Sequence, residues 1–580
     1  MSAEKTEDKL QNNYLQPETF AERVFYDSAL MILFNTIYCF VPYLQSSNTD
    51  YAAFIALNKA LVGFTLALFL AFVYQLLYFK PIKKFFVVVT ALIPLLFSVT
   101  QVVVKAVLGA NLNFSILDLV TGTNLGEVKG FIQLYVDWQV IALVLLALLP
   151  FFLAYVFRKY VRSFAVYLLR HHICLITCLI IIVFFWVLFM GINLSNLFAR
   201  AESPITWSFR YAKTFVSLDL YAAALLKEGA FRAEITKNES TIPNVILVVG
   251  ESASTDYMSI YGYEMDTTPV CANWEKNGNL AVFHDVISSN TLTKYTVPTL
   301  ISFIGGDKTS GLSDSTANNI FDIFSQCGYK TFWLSNQDRD TTDTLYMNFT
   351  SDFLADHSKY YAGSRFAAYS SKKFSAKDGV LVEDFIKKVE REKEASGKKL
   401  YLLHLLGSHA AYNLRYPAEF ERWTASDLAD EPLKEDMKQR VAEYLNSIYY
   451  TDYLLGQMME KLNYEESIIL YVSDHGEELG QNGQYRGHIL LPAVSQAMFR
   501  IPFLIWMSDK FIENNPEKSL QIMEAAEESK PWMSDSLPHL LLDIANIETT
   551  QYKPEMSVIN PAFVVKERKI LGINYEDFEP

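Results

Sequence analysis

Five long apolar runs in the first 200 residues constrain this chain more than any other feature. They lie at 25–44, 52–79, 85–108, 138–157 and 173–197. Each is close to or longer than the roughly 20 residues that an α-helix needs to cross the hydrocarbon core of a bilayer. One such run could be the buried helix of a soluble protein. Five in succession predict a transmembrane domain of five helices over residues 25–200.

Charge divides the chain at the same place. The first 200 residues carry 14 Lys and Arg against 10 Asp and Glu, whereas the other 380 carry 36 against 54. The overall formal charge of −14 argues against a nucleic-acid partner, because a phosphate backbone needs a basic face. A composition that is 51% hydrophobic and 20% charged also excludes an intrinsically disordered chain.

Basic residues in the short loops predict the orientation in the membrane. Lys80, Lys83 and Lys84 follow the second run, and four more basic residues follow the fourth, whereas the loop at 46–50 has none. We therefore expect a cytoplasmic tail at 1–24 and everything after the fifth run on the outer side. The tail is too polar for a cleaved signal peptide, so the first run is expected to remain as an anchor.

The part of the chain at 241–580 is predicted to be an α/β domain. It follows a stretch of aromatic and charged residues at 201–240, which is expected to be an amphipathic linker at the membrane surface. Short β-branched runs then alternate with helical patterns, which indicates a mainly parallel sheet with helices on both faces. The predicted strands are 244–249, 330–334, 400–405 and 467–472, and the predicted helices include 377–395 and 433–462.

The five cysteines decide little. Cys39, Cys174 and Cys178 lie in apolar runs, where a small apolar residue is the simpler interpretation. Cys271 and Cys327 belong to the α/β domain and could pair in an oxidising compartment. The sequence leaves that pairing open.

Carboxylates and imidazoles gather near the ends of the predicted strands: Glu251, His404, His409, Asp474 and His475, with His488 further along the chain. A set of this kind from separate strand ends is what a catalytic zinc ion needs, with one position left for substrate. Taken singly, an Asp-His pair can form a turn, and Glu251 can cap a helix. Together these residues favour a metal site.

A hydroxyl-rich segment, 288–298, supplies a candidate nucleophile. A Thr at a helix N-terminus can be a metal-activated nucleophile, and the helix end favours a phosphoryl anion. The residues by themselves favour an ordinary Ser/Thr cap.

Spaced motifs extend over nearly the whole chain. In order they are TNLGE at 123–127, VGES at 249–252, YGY at 261–263, TTP at 267–269, Thr293 five residues before Pro298, WLSNQ at 333–337, HLLGSH at 404–409, SDHGEE at 473–478 and IPFLIW at 501–506. With the five apolar runs, they resemble the phosphoethanolamine transferases of Gram-negative inner membranes. That family includes the lipid A enzymes that confer polymyxin resistance. It belongs to the alkaline phosphatase and sulfatase superfamily, whose α/β fold the resemblance implies for 241–580.

The resemblance implies roles for individual residues. Glu251, Thr293, Asp474 and His475 would bind one zinc ion, and Thr293 would be the nucleophile that becomes modified with phosphoethanolamine. His409 would contact substrate or a second zinc ion.

Three further positions are implied to bind substrate. Asn124 and Glu127 match a motif that helps to hold the lipid donor, and Asn336 lies in the WLSNQ motif.

Two features, at three positions, depart from the lipid A enzymes. Arg500 stands where those enzymes have His, so we expect either that His488 takes over the catalytic role or that Arg500 holds phosphate directly. Ser289 and Thr299 stand where many of them have cysteines flanking the nucleophile.

The resemblance implies transfer of phosphoethanolamine from phosphatidylethanolamine to a cell-envelope acceptor. A lipopolysaccharide core sugar or lipid A is the favoured acceptor, and periplasmic glucans are the alternative. We expect a monomeric, multi-pass inner-membrane enzyme with a cytoplasmic N-terminus and a periplasmic catalytic domain.

The sequence also bears on three other functions. The alternative enzyme is a glycerol-phosphate transferase of the lipoteichoic acid synthase type, which shares five spans and a Thr nucleophile. A sulfatase is disfavoured because the chain has no Cys/Ser-x-Pro-x-Arg maturation motif. A receptor or scaffold is disfavoured because all four zinc ligands are present.

Overall fold

The computed structural model describes the chain in separate stretches. They are 15–19, scattered positions between 22 and 33, 73–108, 138–172, 232–305, 318–337, 355–361, 377–393, 397–429, 433, 435–480, 485–488, 494–570 and 572–579. The chain forms two compact units. One comprises Met1–Leu117 with Tyr135–Leu218, and the other comprises Asp118–Leu134 with Asp219–Pro580.

The first unit contains two long helices, α1 (Lys80–Leu108) and α2 (Trp138–Val156), which cover the third and fourth apolar runs. Phe151 and Ala154 of α2 are buried, and Leu95 of α1 packs against them. Within the described stretches, α2 is the one helix that is long and apolar enough to cross a membrane, judged by length and composition. The third predicted span coincides with α1, and the first, second and fifth fall largely on residues outside those stretches.

The second unit contains the remaining strands and helices. The strands are β1 (Ile235–Asn238), β2 (Asn244–Gly250), β3 (Leu280–Phe283), β4 (Val286–Ile287), β5 (Tyr329–Ser335), β6 (His357–Tyr360), β7 (Lys398–His404), β8 (Ser467–Ser473), β9 (Glu478–Leu479), β10 (Tyr485–Gly487), β11 (Phe503–Met507), β12 (Trp532–Met533), β13 (Ile547–Thr549), β14 (Lys569–Ile570) and β15 (Ile573–Asn574). The helices are α3 (Pro269–Lys276), α4 (Thr293–Ile301), α5 (Ile320–Gln326), α6 (Asp378–Glu392), α7 (Glu435–Leu462), α8 (Asp509–Asn514), α9 (Pro516–Glu528) and α10 (Leu537–Ala545). The four predicted strands and both predicted helices are confirmed, with ends shifted by three residues or fewer.

A seven-stranded sheet organises this unit, in the order β3-β11-β8-β2-β7-β5-β6. The strands from β8 to β6 are mutually parallel, whereas β11 runs antiparallel to both β8 and β3. Strand β11 begins where β8 ends, with Phe503 opposite Val472, so the chain returns along the sheet in the reverse direction. The prediction of a mainly parallel sheet is confirmed.

Both faces of the sheet are buried. In β2, Val245, Leu247 and Val249 face a core formed with α4, α5, α9 and α10, whereas Ile246 and Val248 face a core formed with α3, α6 and α7. Successive side chains of a strand point to opposite faces, so a strand covered on both sides needs an uninterrupted apolar run. This explains the β-branched runs in the sequence.

Cys271 and Cys327 are both buried and both free. Cys271 belongs to the core on one face of the sheet and Cys327 to the core on the other. The open question of their pairing is therefore answered by the fold, which puts the sheet between them.

The central position of β8 gives a stability prediction. Leu470 is fully buried in β8, whereas Leu520 of α9 is 59% exposed. We expect Leu470→Ala to destabilise the fold by about 2–5 kcal/mol, because it removes buried methyl groups and leaves a cavity. Leu520→Ala should change stability by less than about 0.5 kcal/mol. Thermal unfolding of the full chain in detergent tests this, and equal effects of the two substitutions would contradict the proposed core.

Candidate active site

Strand register brings two carboxylates together. Gly250 at the end of β2 lies opposite Ser473 at the end of β8, so the next residues, Glu251 and Asp474, leave the sheet side by side. Both side chains are buried. His475 completes the group, with its Nε2 3.2 Å from Glu251 Oε1 and 3.4 Å from Asp474 Oδ2.

A hydroxyl at the start of α4 joins this group. Thr293 is the first residue of the helix, and its Oγ1 donates a hydrogen bond to Glu251 Oε2 at 3.1 Å. The preceding residue, Leu292, is extended, with φ −127° and ψ 130°, and it has no side-chain cap. The first N–H groups of a helix have no partner within the helix and favour an anion. The candidate nucleophile, the Thr293 hydroxyl, therefore lies at a helix end that can bind an anion.

The group has the ligand atoms that a metal ion requires. The ligand atoms of Glu251, Asp474 and His475 lie within 4.8 Å of one another. Asp474 Oδ2 is buried and has no hydrogen-bond partner among the described residues. His475 Nδ1 lies 2.9 Å from the Gly476 carbonyl, which can only accept, so Nδ1 keeps its hydrogen and Nε2 is the nitrogen that can release a proton and offer a lone pair to a metal ion. Carboxylate, imidazole and hydroxyl ligands fit zinc.

Mutual repulsion and burial shape the charges of this group. Burial and the neighbouring charge of Glu251 raise the pKa of Asp474. Burial would also raise the pKa of Glu251, but the hydrogen bond and charge of His475 bring it below its usual range. Burial would lower the pKa of His475, but the charges of Asp474 and Glu251 raise it to about 10. Without a metal ion, a protonated His475 therefore balances part of the buried negative charge.

Ser252 holds both carboxylates from a strained conformation. Its φ of 55° is in the left-handed region, which costs a residue with a side chain about 1–3 kcal/mol. Its N–H donates to Asp474 Oδ1 at 3.1 Å and its hydroxyl donates to Glu251 Oε1 at 3.0 Å. The Tyr444 hydroxyl donates to the Ser252 carbonyl at 2.6 Å. Neither role was predicted from the sequence. The role of Ser252 depends on its backbone conformation, and Tyr444 reaches the site from α7, far along the chain.

Two neighbouring residues of the WLSNQ motif, Asn336 and Gln337, have different hydrogen-bond partners. Asn336 donates through Nδ2 to Asp378 of α6 at 2.8 Å, on the side of the sheet away from Thr293. The next residue, Gln337, donates through Nε2 to Glu251 Oε2 at 3.0 Å and to the Leu405 carbonyl at 3.1 Å. Neighbouring side chains point to opposite faces, and that alternation was the signal available in the sequence.

Two further histidines lie near the group formed by Glu251, Asp474 and His475. The ring of His488 packs on the ring of His475 with centroids 4.2 Å apart, and its Nδ1 lies 2.7 Å from Glu477 Oε2. Tyr412 donates to the other oxygen of Glu477. His409 is 6.2 Å from His488 between ring centroids, and its buried Nδ1 has no partner among the described residues. Burial lowers the pKa of His409 to about 4, so this imidazole is neutral at pH 7.

Arg500 forms a two-pronged ion pair with Asp256. Its Nε and Nη2 donate to the two carboxylate oxygens at 2.9 and 2.7 Å. A direct contact between Arg500 and phosphate would have to compete with this pair. Asn124 and Glu127, the predicted donor-binding residues, lie outside the described residues.

The two positions that flank the nucleophile are joined by a hydrogen bond. Ser289 Oγ and Thr299 Oγ1 are 2.9 Å apart, and the Thr299 hydroxyl donates to the Thr296 carbonyl at 2.7 Å. Ser289 is therefore the donor in the first contact. The hydroxyl pair ties the loop before Thr293 to the body of α4.

Comparison with known proteins identifies relatives of this chain. The Sulfatase family model matches residues 243–547, more than half of the chain. Phosphoethanolamine transferase EptC of Escherichia coli is 28% identical over 384 residues, which are 64% of this chain and 63% of that protein. Kdo(2)-lipid A phosphoethanolamine 7''-transferase of E. coli is 29% identical over 290 residues, 50% of this chain and 48% of that protein. The chain thus matches less than two thirds of the length of these curated relatives.

Solved structures agree with these matches. The C-terminal periplasmic domain of E. coli EptC, in complex with Zn, aligns with 60% of this chain and 97% of its own, with a TM-score of 0.53 and 25% identity. The integral membrane protein lipooligosaccharide phosphoethanolamine transferase A of Neisseria meningitidis aligns with 97% of this chain and 99% of its own, with a TM-score of 0.55 and 17% identity. The second likeness shows a shared fold over both parts of the chain.

The charge state of His475 predicts how zinc affinity depends on pH. His475 is protonated at neutral pH without metal, so zinc must displace that proton. We expect affinity to fall as pH falls, by about tenfold per unit for each proton released. Calorimetry in buffers of different ionisation enthalpy measures the release. His475→Gln should abolish tight zinc binding, and His357→Gln, at an exposed site on β6, should preserve it. Affinity independent of pH would contradict this site.

Proposed function

The chain belongs to the sulfatase family, and we propose that it transfers phosphoethanolamine from phosphatidylethanolamine to a cell-envelope acceptor through a covalent intermediate on Thr293. One observation carries the proposal. The Thr293 hydroxyl, at the N-terminus of α4, lies 3.1 Å from Glu251 in a buried group with Asp474 and His475. The names of the curated relatives and the Zn complex of the EptC domain support the same reaction.

One zinc ion suits the side chains present. Glu251, Thr293, Asp474 and His475 would hold it. Bound there, zinc would lower the pKa of the Thr293 hydroxyl and offset negative charge on the phosphate. A second group, His475 with Glu477 and His488, shares His475 with the first. The Nδ1 of His475 faces the Gly476 carbonyl and its Nε2 faces Glu251 and Asp474, so neither nitrogen is available to a second ion. Glu477 and His488 are hydrogen-bonded to each other. We therefore propose a single ion.

The first step moves phosphoethanolamine onto the enzyme. Thr293 Oγ attacks the phosphorus of phosphatidylethanolamine and forms an O–P bond. Thr293 gives up its hydroxyl proton, the bond from phosphorus to the glycerol oxygen breaks, and that oxygen takes up one proton as diacylglycerol leaves. The N-terminus of α4 stabilises the negative phosphoryl oxygens as the geometry changes. Ser252, Gln337 and Glu251 keep the hydroxyl in place for attack.

The second step moves phosphoethanolamine to the acceptor. An acceptor oxygen attacks phosphorus, and the bond to Thr293 Oγ breaks. His409 is neutral at pH 7 and has a buried Nδ1 without a partner among the described residues, so we assign it the proton from the acceptor hydroxyl. His488, held by Glu477, is the second proton-transfer candidate.

The proposed acceptor is lipopolysaccharide, at lipid A or a core sugar. The Kdo(2)-lipid A transferase among the relatives supports this choice over periplasmic glucans. We place residues 25–200 in the inner membrane, with the N-terminus in the cytoplasm and residues 241–580 in the periplasm. The loop charges, helix α2 and the fold shared with an integral membrane transferase support that arrangement. Asn124 and Glu127 are proposed to contact the lipid donor.

Substitution of the nucleophile tests the mechanism. Thr293→Ala removes the attacking oxygen, so we expect no transfer from labelled phosphatidylethanolamine in membranes, with insertion unchanged. Thr424→Ala, an exposed hydroxyl elsewhere in the domain, should transfer normally. Mass spectrometry should find a phosphoethanolamine adduct on Thr293 of the unmodified enzyme. An adduct on another residue would refute the assigned nucleophile.

Donor preference separates the proposal from glycerol-phosphate transfer. With phosphatidylethanolamine and phosphatidylglycerol offered at equal concentration, we expect label to leave only the ethanolamine lipid. Preferential use of phosphatidylglycerol would favour an activity of the lipoteichoic acid synthase type. Lipopolysaccharide profiling of a deletion strain then identifies the acceptor, as the species that loses a phosphoethanolamine group.

A further inference from the structure

We propose that Gln337 is a positioning residue that orients the Glu251 carboxylate for the metal ion. The inference rests on the zinc site proposed above. Gln337 follows β5 and is buried, and its Nε2 donates to Glu251 Oε2 at 3.0 Å. That same oxygen accepts the hydrogen bond of the Thr293 hydroxyl at 3.1 Å. Gln337 therefore acts on the atom that the nucleophile also contacts.

The orientation of the Gln337 amide is determined by its partners. Nε2 faces Glu251 Oε2 and the Leu405 carbonyl, which are both acceptors. A flipped amide would place its oxygen against two other oxygens, so only one orientation satisfies the site. The backbone is held as well, since the Gln337 N–H donates to Ser335 Oγ at 3.2 Å. The donor is thus fixed before any ligand arrives.

With Gln337, each of the two carboxylate oxygens of Glu251 has its own set of hydrogen-bond partners. Oε2 accepts from Gln337 and Thr293, and Oε1 accepts from Ser252 and lies 3.2 Å from His475 Nε2. Without the Gln337 donor, the carboxylate could rotate and exchange these roles. Outer-shell hydrogen bonds of this kind orient metal ligands, and their loss typically lowers metal affinity or activity about 10–100-fold.

The neutral charge of Gln337 matters as much as its reach. A Lys or Arg in the same place would neutralise Glu251 and compete with a bound cation. An amide donates a hydrogen bond and leaves the negative charge available to the metal. Gln337 thus holds the Glu251 carboxylate in one orientation without reducing its negative charge.

Gln337 also connects two strand ends. Its second hydrogen bond goes to the Leu405 carbonyl, directly after β7. The Ser408 N–H, in the same loop, donates to the Glu251 carbonyl at 2.9 Å. Since His409 follows in that loop, we infer that Gln337 fixes Glu251 and the His409 loop relative to each other.

The test is zinc affinity of the full chain in detergent, measured by chelator competition. Gln337→Met keeps the length and apolar stem but removes both donors, and we expect the zinc dissociation constant to rise about 10–100-fold. Gln326→Met is the matched control. Gln326 of α5 also donates through Nε2 to one carbonyl, Ala233, and one carboxylate, Asp322, away from the site. Its substitution should leave zinc affinity unchanged.

Each result decides a separate question. Unchanged zinc affinity in Gln337→Met would overturn the inference, and so would an equal loss in Gln326→Met. If Gln337→Met does not fold, as judged by thermal unfolding of the zinc-free protein, Gln337→Leu supplies an uncharged side chain without a donor, and the same weakened binding is expected. Absence of zinc binding in the unmodified chain would overturn the metal site together with this inference. Failure of transfer from phosphatidylethanolamine would refute the proposed reaction while leaving the affinity comparison valid.

Discussion

The side-by-side burial of Glu251 and Asp474 is the constraint on which the rest of this site depends. Parallel pairing of β2 with β8 places the two residues next to each other, whatever their charge. Two buried carboxylates at this separation repel each other and lack water, so they require positive charge and donors. His475, the Ser252 hydroxyl and N–H, and the Gln337 amide meet that requirement in the protein itself. A zinc ion would satisfy it more completely, which is the electrostatic argument for the proposed metal site.

Alternation along the strands decides which side chains reach this place. Val249 and Val472 face the core that includes α4, and two residues later Glu251 and Asp474 lie on the same side. Gln337 continues the same alternation from Trp333, whose side chain belongs to that core. Helix α4 packs on this face through Val297 and its neighbours, so its first residue, Thr293, arrives beside Glu251. The packing of α4 on this face thus places a candidate nucleophile beside the candidate metal ligands at the carboxyl ends of the strands.

Much of the α/β domain follows from sequence pattern, because strands buried on both faces need continuous apolar runs and the helices between them need an apolar stripe. The four predicted zinc ligands depended on a resemblance, since each of them alone had a simpler explanation. Strand alternation indicates that Asn336 and Gln337 face opposite sides of the sheet, and the fold turns Asn336 towards Asp378 and Gln337 towards Glu251. The sequence leaves open whether His488 takes the place of the missing His or Arg500 holds phosphate, and the fold adds that Arg500 pairs with Asp256, 244 positions earlier in the chain.

The sequence by itself determined the strong local patterns: long apolar runs, strand and helix segments, and the residue types that suit zinc and a phosphoryl group. These properties depend on neighbouring residues, so they can be read along the chain. The tertiary structure alone decided which face each side chain takes, that Cys271 and Cys327 are separated by the sheet, and that Gln337 completes the hydrogen bonding of Glu251. These outcomes depend on strand register and helix packing between distant segments, whose contact energies no local pattern contains.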